Sequence, residues 1–295
     1  MSIYPKFLRK WIKSKVTNIV KEENRKIKTN SESNVNNKLY YPYKSDSEFY
    51  IIQKNNFNDQ LKCEYELPIP PKDLWLGYGE NSDEYLKGRI QIDQMLKITK
   101  NLGYDPENPG NILDFGCGAG RMIRWLKPYS ENKEIWGVDI SSEHIIWANN
   151  NLNPPFNFAV NTVVPHLPFR DNYFDFIYAG SVFTHIDDLS DSWFLELHRI
   201  SSDNAYLYLT IQDRHTIELL ETKYRDKWLS GYMRKFPEYN SEKENFNIMV
   251  GGRGPDSQVF YDIDYLKKSL KTLFDIVSIA EEAYGYQTAL ILRKK

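Results

Sequence analysis

Residues 111–124 read NILDFGCGAGRMIR, and this stretch constrains the rest of the chain more than any other. An apolar strand through Ile112 and Leu113 runs into Asp114. Gly116, Gly118 and Gly120 then follow at every second position, and a helical pattern begins at Arg121. Glycines let the backbone take positive φ and lie flat against a ligand, while free N–H groups at a helix start favour a polar or anionic group. A strand, a tight turn and a helix start of this kind should receive a nucleotide-like ligand. Glycines that serve turn geometry alone are the plain alternative.

Spacing narrows the ligand. A dinucleotide site uses G-x-G-x-x-G with an acidic residue about 20 residues on for the ribose. Here the pattern is D-x-G-x-G-x-G, with Asp114 two residues before the first glycine. A carboxylate there would repel a pyrophosphate but can hold an amino acid's ammonium group. The next apolar run, Ile135 to Val138, ends in Asp139, placed to accept hydrogen bonds from two ribose hydroxyls. One carboxylate for an amino acid and one for a ribose point to S-adenosylmethionine.

At these residues the chain resembles the class I S-adenosylmethionine-dependent methyltransferases of the small-molecule type. The matching stretches are ILDFGCGAGR (112–121), GVDIS (137–141), LPFRDNYFDFIYAGSVFTHI (167–186) and FDIVSIAEEAYGYQTALILRKK (274–295), four motifs in the family's order over roughly residues 86–295. The resemblance implies cofactor contacts from Asp114, Gly116, Cys117, Gly118, Gly120 and Asp139, with Ile140 against adenine and Ser181 at the methionine end. Arg121 either neutralises the cofactor's carboxylate or faces solvent. Relatives often carry an Asp for the adenine amino group where this chain has Asn161 and Thr162; the Asn161 carbonyl could substitute.

Strand and helix patterns alternate after the turn: strands at 134–138, 156–160, 174–179 and 205–211, helices at 142–151 and 189–200. Such alternation predicts an α/β, Rossmann-like, doubly wound sheet. With the resemblance, it has seven strands, mostly parallel, the last antiparallel, closed by a helix at 263–273 and strands at 276–280 and 287–292. Ligands gather at the carboxyl ends of such strands, where Asp114, Asp139, Asn161 and Ser181 fall.

Before this domain, residues 1–38 carry a basic amphipathic pattern through Phe7, Leu8, Trp11, Ile12, Val16, Ile19 and Val20. Residues 1–40 have a net charge of about +7, leaving about −9 on the remainder of a chain at −2. Such an arm could lie on an anionic membrane, bind a partner, or pack back on its own domain. Residues 39–85, rich in Tyr, Asn and Pro, read as a lid, with Trp75 and Tyr78 as candidates for a ligand wall. Residues 212–261 interrupt the rhythm and read as a cap with a mobile glycine loop around Arg253.

Two cysteines, Cys63 and Cys117, make no disulfide framework, no run of 18 apolar residues occurs, and no signal-peptide pattern opens the chain; a cytoplasmic protein is expected, with peripheral membrane contact through residues 3–28 as one option for the arm. No metal-ligand spacing is visible. The acidic body argues against a nucleic-acid substrate. Asn153-Pro154-Pro155-Phe156 spells a tetrapeptide of base- and amide-methylating enzymes, but it precedes the third strand, about 25 residues too early, and reads as a loop.

Methyl transfer is an in-line displacement, so the protein mainly aligns acceptor, methyl and sulfur. For a hydroxyl acceptor a base helps, and His185, in SVFTHID, is the best placed, with Asp187 and Asp188 near enough to stabilise its imidazolium. A His185 that merely caps or packs the next helix is the alternative. His166 and His215 are weaker candidates; His144 and His198 read as surface helix positions. Tyr78, Tyr261 and Tyr284, with Gln287, would shape the acceptor pocket, and aromatic faces favour a sugar or a specialised metabolite. An N-methyltransferase on an amine or peptide, and a non-catalytic cofactor-binding module, remain as rivals.

Overall fold

The computed structural model describes residues 65–108, 110–253 and 257–295. The basic arm and most of the proline-rich segment fall outside them. Among the described residues no helix is long and apolar enough to cross a membrane.

The strands are β1 (Asn111–Phe115), β2 (Ile135–Asp139), β3 (Asn157–Val160), β4 (Phe174–Ala179), β5 (Ser201–Ile211), β6 (Ile248–Gly251), β7 (Gln258–Tyr261), β8 (Phe274–Tyr284) and β9 (Gln287–Lys294). Seven form one sheet in the order β3-β2-β1-β4-β5-β9-β8. β1, β2, β3, β4 and β5 pair in parallel, and β9 runs antiparallel to both β5 and β8. The order reverses between β1 and β4, so a crevice opens outside the carboxyl ends of these strands.

Period-two alternation assigns each strand's side chains to two faces. Ile112, Phe176, Tyr178, Tyr208 and Ile291 point to one core. It lies under α2 (Gly88–Asn101), which follows the short α1 (Ser82–Leu86), and α3 (Ser142–Leu152). Their neighbours Leu113, Ile177, Ala179, Leu207, Leu209, Leu290 and Leu292 point to the other, under α4 (Ser190–Ile200) and α8 (Ile263–Leu270). A sheet covered on both faces explains the near-continuous apolar runs of β4 and β5. Each fully buried Leu, Ile or Phe contributes on the order of 1.5–3 kcal/mol.

Three differences from the sequence reading have local causes. The chain after the glycine turn does not continue as an α-helix: Ile123–Tyr129 is a 3-10 run with Pro128 inside it. Proline has no N–H for an i→i−4 bond, so tighter turns take over. In the cap, the expected glycine loop is flanked by the antiparallel hairpin β6/β7, whose second strand docks on the sheet through a bridge from Gln212 to Phe260. The rest of the cap is three short helices, α5 (Arg214–Glu221), α6 (Trp228–Met233) and α7 (Pro237–Glu242), closed over Ile217, Leu220, Leu229, Met233, Tyr239 and Phe260. Finally, β8 extends to Tyr284 through an irregularity in its pairing, with Glu282 at φ 50°. The Asn153–Phe156 loop lies between α3 and the amino end of β3, the edge of the sheet opposite the crevice.

Candidate active site

The glycine turn divides its labour. Gly116 has φ 84°, and a Cβ there would lie 2.3 Å from Val182 Cγ2, so this position admits only glycine. Gly116 and Cys117 both donate their N–H to the Val138 carbonyl, at 2.8 and 3.0 Å, which folds the turn back over β2. Gly118 is different: a Cβ there would meet only Leu76 Cδ1 at 3.5 Å and His144 Cδ2 at 3.9 Å. Its N–H donates to Asp139 Oδ2 at 2.8 Å, while Oδ1 accepts from Ser141 N at 2.8 Å. Gly120 packs on Leu152. Asp139 is thus pinned beside the open flank of the turn, with lone pairs left for a ligand's hydroxyls.

Around this flank, buried polar atoms lack partners. Asp114 Oδ2, Asn161 Oδ1 and His144 Nε2 are buried and make no hydrogen bond. Such groups cost free energy until something pairs with them. Burial pushes the Asp114 carboxyl up to about 7; Asp139 adds to the rise, while the Tyr178 hydroxyl and Arg121 guanidinium oppose it. Burial also holds the Cys117 thiol well up, so it stays protonated. Asn161 is fixed by its N–H to the Asp139 carbonyl and its Nδ2 to the Thr162 carbonyl, leaving the amide oxygen as an acceptor. Acceptors at Asp114 and Asn161 suit a ligand carrying an ammonium and an exocyclic amine. Ile140 and Thr162 are half-buried beside them.

A second group closes over the turn. Arg121 is 8% exposed, under the ring of Tyr78 at 4.1 Å, and it donates to the Tyr284 hydroxyl and to Gln91 Oε1 at 3.1 Å. Its charge is therefore met by aromatic faces and neutral oxygens rather than by solvent. Trp75, expected as a wall, is interior: it stacks on Tyr85 at 5.2 Å and donates Nε1–H to the Pro70 carbonyl. The residue the sequence reading missed is Leu76, 41% exposed at φ 54°, whose side chain reaches the flank of Gly118. Its only signal was its place in a WLGYG stretch.

On the far side of the crevice, Ser181 follows β4 at φ 61°. Its N–H donates to Thr210 Oγ1 at 2.7 Å, Thr210 donates to Gln287 Oε1 at 2.7 Å, and Gln287 Nε2 donates to Ser181 Oγ at 2.8 Å. This closed ring ties the ends of β4, β5 and β9 together. His185 lies one turn further on, exposed, with Nδ1 at 2.9 Å from the Ser257 carbonyl. Toward this carbonyl, which only accepts, Nδ1 would donate; Gln258 Nε2 lies 3.4 Å from the same nitrogen. Asp187 and Asp188 pair with Arg253, at 3.8 and 2.6 Å, and so tie this loop to the cap.

The other expected pocket residues spread out. Tyr261 is fully buried in the core, its hydroxyl donating to the carbonyls of Phe183 and Ile186, so it supports the His185 loop instead of lining an open pocket. His166 is exposed, 3.8 Å from Glu196. His215 faces Glu218, Glu281 and Glu282 on the outside of α5. His144, expected at the surface, is 4% exposed. Tyr284 is buried on Arg121 and backs onto Gly180.

A doubly wound sheet carries an acidic residue before a glycine turn, a second at the end of β2 and unpaired acceptors between them. Residues 113–209 match the family described as Methyltransferase domain. The chain is 25% identical over 147 residues to a malonyl-[acyl-carrier protein] O-methyltransferase of Legionella pneumophila, covering 49% of this chain and 51% of that one. It is 26% identical over 147 residues to the mitochondrial ubiquinone biosynthesis O-methyltransferase of Saccharomyces cerevisiae, covering 49% and 46%. The chain thus spans about half the length of these curated relatives. Among solved structures, a Pyrococcus horikoshii protein shares the fold at a TM-score of 0.53 and 20% identity, over 74% of this chain and 95% of the other.

Proposed function

We propose that the protein transfers a methyl group from S-adenosylmethionine to a hydroxyl of a small acceptor, a sugar or a specialised metabolite. The observation that carries the hydroxyl reading is the place of His185 just beyond β4, with Nδ1 2.9 Å from the Ser257 carbonyl, the arrangement that would leave the lone pair on Nε2 for an acceptor's proton. Bound cofactor supplies an electrophilic methyl on a sulfonium that leaves as a neutral thioether. Asp114 meets the ammonium, Asp139 the ribose hydroxyls and the Asn161 carbonyl the adenine amine. The ring of Ser181, Thr210 and Gln287 fixes the strand ends on which the acceptor rests, and alignment of the reacting atoms does most of the work. As the acceptor oxygen bonds to the methyl carbon, His185 Nε2 takes its proton.

The names of the relatives support methyl transfer but do not agree on the acceptor: two are O-methyltransferases, and one, from Rauvolfia serpentina, is a norajmaline N-methyltransferase. The test is a screen of polyhydroxylated acceptors with labelled methyl donor, followed by His185→Ala. A kcat loss of about 10²-fold or more supports general base catalysis at a hydroxyl. A rate that survives the substitution, with an amine as the accepted substrate, overturns the hydroxyl reading.

A further inference from the structure

His144 lies at the first turn of α3, 4% exposed, and no step above uses it. Its ring is fixed in orientation and in tautomer. Ser141, the N-cap of α3, accepts the His144 backbone N–H and places its hydroxyl 2.5 Å from Nδ1. That hydroxyl is 1% exposed and makes no other side-chain hydrogen bond, so its own proton goes to Nδ1. The ring proton is then on Nε2, which is buried and without a partner.

The unpaired donor has a direction. His144 Cδ2, the atom bonded to Nε2, stands 3.9 Å from where a Gly118 Cβ would lie, on the flank of the glycine turn where a Cβ would meet no clash. Asp139 Oδ2 holds the N–H of that same Gly118 at 2.8 Å. A ribose hydroxyl that gives its proton to Asp139 keeps two lone pairs and needs a donor, and Asp139, as a carboxylate, has none to offer. A buried N–H beside it supplies what the carboxylate lacks.

Resting on the reading that S-adenosylmethionine binds at this turn, we propose that His144 is a cofactor-reading residue whose Nε2–H donates to a ribose hydroxyl held by Asp139. Carboxylate and imidazole then read the ribose as an acceptor and donor pair.

The experiment is a calorimetric cycle of two proteins against two ligands: the full chain and His144→Met, each titrated with S-adenosylhomocysteine and with its 2′,3′-dideoxy analogue. Methionine fills the imidazole's space without an N–H. The expected result is about a tenfold loss for His144→Met with S-adenosylhomocysteine, the scale of one buried hydrogen bond, and nearly equal affinities of the two proteins for the dideoxy ligand. His144→Gln, which retains an N–H donor, should recover most of the loss, as a variant damaged only in packing would not. Equal binding of S-adenosylhomocysteine by the full chain and His144→Met, or the same loss with both ligands, overturns the proposal while leaving the cofactor reading intact. Failure of the unaltered protein to bind S-adenosylhomocysteine takes down both.

Discussion

The two walls of the crevice are built on opposite plans. At the carboxyl ends of β1 to β3, buried acceptors at Asp114 and Asn161 stand unpaired around an open glycine flank. Across the crevice, Ser181, Thr210 and Gln287 satisfy one another, and Arg253 pairs with Asp187 and Asp188. The first wall is incomplete without a ligand. The second is a finished scaffold that presents one histidine. Under the proposed function, the difference means that cofactor recognition would be written as unmet hydrogen bonding, and acceptor choice in how the loop after β4 and the cap are held.

If the glycine turn is a close-packed hinge and the cap a tolerant surface, alanine should separate them. Gly116→Ala forces a Cβ onto Val182 at positive φ and should destabilise the fold by about 2–4 kcal/mol, read as a fall in Tm. Retention of the parent Tm would show that the turn is looser than described.

A middle-sized effect concerns protons. The Asp114 carboxyl sits at about 7 when folded, against 3.8 ordinarily, so the folded chain keeps a proton that the unfolded chain has lost. Its contribution to stability is therefore fully present below about pH 4 and disappears as pH rises through 7, and Asp114→Asn should flatten that decline. An ammonium placed against Asp114 favours the carboxylate, so cofactor binding at pH 6 should release a proton. Calorimetry in two buffers of different ionisation enthalpy measures it; no proton release would separate Asp114 from the ammonium.

The smallest change is expected in the cap. Gly231 lies in α6 with nothing within 4 Å of a Cβ, so Gly231→Ala should be neutral or stabilising by up to about 1 kcal/mol. A large loss in chemical denaturation would mean the cap is packed as tightly as the turn.

The same contrast governs what could be read from the chain alone. β1, β4, the glycine turn, Asp114 and Asp139 were legible because they rest on local spacing and on apolar periodicity. The antiparallel last strand came from the family resemblance. What escaped was set by contacts distant in sequence. Arg121 is caged by Tyr78 and Tyr284, residues 43 before and 163 after it, and no local pattern announces such a cage. The short run Gln258–Tyr261 is a strand because it docks on Gln212 and Thr184. Pro128, visible in the sequence, was the missed sign that the turn would not lead into a full α-helix.

The central claim is that the wall of β1 to β3 is a preformed site for S-adenosylmethionine anchored on Asp139. Its most direct test is calorimetric titration of S-adenosylmethionine and S-adenosylhomocysteine into the protein and into Asp139→Ala. The account predicts micromolar binding that falls by about 10²-fold or more in the variant, since ribose contacts and the anchor on Gly118 go together. Binding that ignores the substitution, or no binding by the unaltered protein, would contradict it.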